Sequence, residues 1–157
     1  MPRSDEGLAP AADLQTAVPI GGTARRGSNA ARLRSMRLAI YADVMRGITS
    51  PPVRVAEYAL VRPGQDPADR LAQTRALVVR ESWQMVMTTY DDTGMTDPAT
   101  RPHLARLYAA IRRRELHGIV AASRTDITTF HDIYEDTLTR IRTCGGFLVL
   151  AHDETTQ

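Results

Sequence analysis

Between Val53 and Ala151 four short apolar runs alternate with three helical stretches, and each run ends in polar or turn-forming residues. The runs are Val53–Val61, Met85–Tyr90, Gly118–Ala122 and Phe147–Ala151. Runs this short suit strands rather than helices. With a helical stretch between each pair, successive strands must lie parallel and be joined by crossovers. The predicted fold class is therefore α/β: a three-layer αβα arrangement around a mainly parallel four-stranded sheet. In such sheets ligands bind outside the carboxyl ends of the strands. Chemistry is expected near Leu60–Arg62, Asp91–Arg101 and Ser123–Phe130.

The helical stretches carry apolar residues at helical spacing. From Asp66 to Glu81 the inner face is Leu71, Thr74, Leu77 and Val78, with Pro67 tolerated in the first turn. From Pro102 to Arg114 it is Leu104, Leu107, Tyr108 and Ile111. A third helix is expected over Thr129–Arg142. Ahead of this α/β domain, placed at 51–154, residues 29–50 read as a basic amphipathic helix and linker. Leu33, Met36, Ile40, Val44 and Ile48 form its stripe, among Arg32, Arg34, Arg37 and Arg46. Such a helix can pack on its own domain, on a second copy or on DNA. Residues 1–28 have no periodicity and are expected to be disordered.

Composition narrows the function classes. Net charge is only +2, and all 20 basic residues are arginine. A GC-rich coding sequence accounts for that bias, although arginine forks also suit phosphate. Cys144 is the only cysteine, so no internal disulfide can form, and a reducing, cytoplasmic setting is expected. No apolar run approaches the roughly 18 residues of a membrane span. The sequence has no glycine-rich phosphate loop with lysine and no dinucleotide-binding glycine triplet. His103, His117, His131 and His152 lack metal-ligand spacing. Asp91 and Asp92 are adjacent, and neighbours on a strand point to opposite faces, which disfavours a shared metal. No cofactor and no metal are expected.

One ordered set of short motifs carries more. Tyr58-Ala59-x-Val61, Trp83, Tyr90-x-Asp92-x-Gly94, Arg101-Pro102-x-Leu104 and an apolar strand leading to Asp126 occur in that order. This set resembles the catalytic domain of serine site-specific recombinases, the resolvase/invertase family. The resemblance spans about residues 53–154. It implies a resolvase-like, flavodoxin-like sheet and a link to DNA recombination. It also implies partners of three kinds: DNA, a second copy of the chain, or an active recombinase.

The resemblance also shows what is missing. The family's nucleophilic serine falls on Arg62, and arginine positions of its active site fall on Leu60, Ile127 and Phe130. Arg101 and Asp126 are retained, and Gln65 matches a polar position. The family attacks a DNA phosphate with the serine and passes through a phosphoserine. Without a nucleophile there is no covalent step. Losing even one donor to the transferring group costs about 10²–10³ in rate. The implied protein is a catalytically inactive member acting by DNA or protein binding, in a mobile-element or bacterial setting.

Two alternatives remain open. An atypical strand-transfer enzyme would use Ser123, with Thr128 and Thr129 nearby. A small flavodoxin-like module would hold an anion with Arg62, Arg101 and Arg124. Against the first, Ser123, Thr125 and Thr128 sit where helix caps are expected, and Asp126 is either a retained acid or a cap. Family members that act alone continue into a long dimer helix and a DNA-binding domain. The basic helix at 29–46 is a candidate substitute for that helix.

Overall fold

The computed structural model describes residues 22–156. In chain order they form α1 (Gly22–Gly47), β1 (Arg54–Leu60), α2 (Ala68–Glu81), β2 (Gln84–Asp91), α3 (Pro102–Arg112), β3 (Gly118–Ala121), α4 (His131–Cys144) and β4 (Phe147–Leu150). Single 3-10 turns, Pro98–Thr100 and Arg124–Asp126, precede α3 and α4. The strands lie in the order β2-β1-β3-β4 and every pairing is parallel. The expected α/β architecture and the N-terminal helix are present.

α1 starts at Gly22, ahead of the start expected at residue 29. Once a packed segment fixes a helix, each further turn adds a hydrogen bond per residue without a new nucleus. The remainder of the expected disordered tail, residues 1–21, lies outside the described residues.

Strand alternation assigns the layers. Val55, Gly118 and Phe147 are in register and face one side of the sheet. On that side the Phe147 ring packs edge-on against Tyr41 of α1, centroids 5.0 Å apart, and lies 6.0 Å from Trp83, just after α2. A Cβ on Gly118 would sit 2.4 Å from the Phe147 ring, so only glycine admits that ring. Tyr58, three residues from Val55, faces the other side, where its hydroxyl meets Asp91 at the head of α3. The central strands are buried on both faces, as a parallel sheet between helical layers requires.

α1 packs on its own domain. Leu33 and Ile40 are fully covered, while Met36, Val44 and Ile48 are partly so. Arg37 in the same helix is also buried and grips the Glu154 carboxylate through two bonds of 2.6 and 3.0 Å. Tyr134 of α4 donates to the same carboxylate at 2.5 Å. Burial and the neighbouring Glu154 raise the Tyr134 phenol well above its usual range. The phenol therefore stays a donor at any ordinary pH.

Candidate functional site at the strand ends

The order β2-β1-β3-β4 makes β1 and β3 neighbours, although α2, β2 and α3 intervene in sequence. The chain leaves β1 for a helix on one face and β3 for a helix on the other. The two loops diverge there, which is the position where open α/β sheets hold ligands. Leu60–Arg62 and Ser123–Asp126 meet at this point.

Asp126 is the centre of what is built there. Its carboxylate is fully buried and takes four bonds. Leu60 N and Arg70 Nε donate to Oδ1 at 3.0 and 2.5 Å. Ser123 N and Arg70 Nη2 donate to Oδ2 at 3.1 and 2.8 Å. Ser123 and Asp126 also form a reciprocal capping box on the 3-10 turn. Asp126 is thus a cap and an ion-pair partner together. The Asp126 hydrogen bonds raise the Arg70 guanidinium above its ordinary value.

Arg70 was not among the residues singled out in the sequence. A cation in the first turn of a helix opposes the helix dipole. That placement is the signal that it answers a partner outside its own helix.

Ser123 Oγ is occupied as well. It accepts from Arg70 Nη2 at 3.1 Å and lies 2.7 Å from Thr125 Oγ1. No imidazole or carboxylate among the described residues accepts its proton. Thr128 Oγ1 caps the following turn by accepting from Phe130 N at 3.2 Å.

Arg101 is the largest fully buried side chain. Its Nη1 donates to Asp126 O at 2.9 Å, and its Nη2 donates to Thr96 O and Ile127 O, each at 2.6 Å. The carbonyl dipoles compensate the charge and tie the β2–α3 loop to the β3–α4 loop.

The positions that the resemblance marks as substituted divide between core and surface. Leu60 and Ile127 are buried, and Phe130 is 61% exposed. Arg62 is exposed, with its backbone N donating to Gln65 Oε1 at 3.0 Å. Arg124 is buried and turns toward α4. Its Nε donates to Thr128 O at 3.2 Å, Nη1 reaches His131 Nδ1 at 3.2 Å, and the guanidinium lies 4.6 Å above the Tyr134 ring. Burial lowers its pKa. The fold joins Arg101 to Asp126; among the described residues the side chains of Arg62, Arg101 and Arg124 share no hydrogen-bond partner.

Asp91 and Asp92 separate as strand alternation requires. Asp91 is buried and accepts from Tyr58 Oη at 2.9 Å and from His103 N and Leu104 N at 3.0 Å, which caps α3. Asp92 is exposed. Among the described residues no cluster of three or more His, Cys, Asp or Glu could hold a metal ion. No helix among them is long and apolar enough to cross a membrane.

No family model and no curated protein matches the sequence. Solved structures do. The C-terminal catalytic domain of ISC1926 TnpA, an IS607-like serine recombinase, superposes with a TM-score of 0.55 at 16% identity, covering 63% of this chain and 70% of that one. The N-terminal catalytic domain of TP901-1 integrase gives 0.56 at 15% identity, over 62% and 76% of the two chains. A serine recombinase from Sulfolobus solfataricus gives 0.50 at 17% identity, over 65% and 70%. The fold is that of serine recombinase catalytic domains.

Proposed function

We propose that this chain is a serine-recombinase-like domain that associates with DNA in a recombination setting and does not cut it. One observation supports this above the others. Asp126 and Arg101, the two residues retained from the family pattern, are saturated by internal hydrogen bonds and hold loops together. Where the family pattern has its nucleophile, an exposed arginine projects from the strand end. The one serine nearby, Ser123, lacks a base and is already paired with Arg70. A site of this kind can attract a phosphate backbone through Arg62 without attacking it.

Two assays on the full chain test the reading. Supercoiled plasmid should stay uncut, with no protein–DNA adduct; nicking that disappears in Ser123→Ala would replace the reading with that of an active enzyme. Duplex DNA should bind with an affinity that falls steeply as salt rises, because phosphate contacts release counterions. Arg62→Ala should weaken binding and flatten the salt slope by about one unit. Absence of binding even at low salt would remove DNA as the partner.

A further inference from the structure

A cavity of about 460 Å³ lies between α1, the β3–α4 loop and the segment after β4. Ala30, Arg124, Thr129, His131, Glu154 and Thr155 contribute to its wall. Thr125, which also bonds Ser123 and Arg70, lies in the same wall, so the cavity borders the Asp126 cluster, but the proposed function does not use it.

Its chemistry is unbalanced. Arg124 is only 6% exposed, carries a permanent charge and has no carboxylate in hydrogen-bond reach. Glu154, the acid in the same wall, is already matched by Arg37 and accepts from Tyr134. Among the described residues, Arg124 Nη2 has no partner although it is fully buried. The Tyr134 ring beneath it and the nearby Glu154 charge offset part of this, but a buried cation with an unbonded N–H group and no carboxylate bonded to it is costly, and a fold retains one where something further compensates it.

The donors around it agree in sign. A guanidinium can only donate, so its bond to His131 makes Nδ1 the acceptor and leaves the ring proton of neutral His131 on Nε2. Thr129, an exposed residue in the wall, adds a hydroxyl. His131 is also the first residue of α4, whose N-cap, Phe130, offers no side-chain acceptor. The first-turn amides therefore lack a side-chain cap, although Asp132 in the same turn offsets part of their positive charge.

We propose that this cavity binds a phosphate monoester, with Arg124 as its charged anchor and Thr129, His131 and the start of α4 as further donors. The cavity exceeds what a bare phosphate fills, so the group esterified to it sits inside as well. The site stands apart from the DNA-binding reading and does not depend on it.

Thermal shift and calorimetric titration of the full chain test it. The probes are inorganic phosphate, adenosine monophosphate, adenosine, and a short oligonucleotide with and without a 5′-phosphate. The melting temperature should rise with the phosphorylated probes and not with their phosphate-free counterparts. A preference for the mononucleotide identifies a free nucleotide as the source; a preference for the 5′-phosphorylated oligonucleotide identifies a strand end. Arg124→Met should weaken binding about tenfold or more while leaving the unliganded protein as stable as the parent or more so. A purely structural arginine would give the reverse pair of results. Thr129→Val, at an exposed position, supplies a second variant that should fold normally and bind more weakly. The proposal fails if phosphorylated probes at millimolar concentration do not move the melting temperature. It fails equally if Arg124→Met or Thr129→Val binds like the parent.

Discussion

Replacing Asp126 by asparagine removes one charge and changes almost no volume. The carboxylate receives two donors on each oxygen: Leu60 N and Arg70 Nε on one, Ser123 N and Arg70 Nη2 on the other. The asparagine amide keeps one oxygen and turns an NH2 toward the other pair. Whichever way it rotates, one buried backbone N–H, of Leu60 or of Ser123, faces another donor. An unpaired buried group of that kind costs about 1–3 kcal/mol. The Arg70 side chain is 30% exposed, so water shares its loss, and the broken ion pair adds only about 1 kcal/mol. The expected total is about 2–4 kcal/mol, a drop of roughly 5–15 °C in melting temperature for a domain of this size. Urea unfolding followed by circular dichroism measures it. Arg62→Ala, at an exposed position just past the end of β1, should stay within about 0.5 kcal/mol of the parent. In a double-mutant cycle, Asp126→Asn and Arg70→Ala should cost less together than their sum. An asparagine variant as stable as the parent would refute the argument that Asp126 has become part of the architecture.

Two further outcomes follow from a buried ion pair and a partly buried histidine. Arg37→Met strands the Glu154 carboxylate in the interior and should cost about 3–5 kcal/mol; Arg37→Met with Glu154→Leu should recover much of that loss in urea titration, and no recovery would mean the pair matters for more than its charge. His117 accepts from Arg54 N at 2.9 Å through Nδ1, and burial, aided by Arg54, holds its pKa below the ordinary 6.5. The folded state then binds fewer protons than the unfolded chain just below pH 6.5, so stability falls as pH drops through that value until the folded ring itself protonates. His117→Asn keeps an acceptor for Arg54 N and should flatten this decline between pH 7.5 and 5; parallel urea midpoints in parent and variant would contradict it.

The legible part of this protein was local. Short apolar runs placed Arg54–Leu60 and Gln84–Asp91, and period-3.6 spacing placed the three crossover helices, nearly where they occur, because the strands lie between helical layers and each helix buries one face. Alternation alone separated Asp91 from Asp92. The apolar stripe of α1 predicted which side of that helix is covered, although the sequence left open whether the cover was its own domain. Motif order pointed to the recombinase fold despite an identity of only 15–17% to the structures that share it.

The partners were not legible. Arg70 and Asp126 lie 56 residues apart, and Arg37 and Glu154 lie 117 apart. Which of 20 arginines meets which of 18 acids depends on strand order, and spacing along the chain carries no trace of it. Arg101 illustrates the consequence. From its motif it reads as a phosphate ligand, yet in the fold its guanidinium is enclosed by backbone carbonyls. Arg124 illustrates the converse: only the packing of α1 against the loop after β3 shows a buried cation with no acid bonded to it. Sequence by itself determined the secondary structure, the parallel sheet and the covered faces, since these follow from periodic burial of neighbouring residues. Tertiary structure alone decided which charges are spent on holding loops and which remain unmatched, since the interaction of two charges depends on their separation in space and on the water excluded between them.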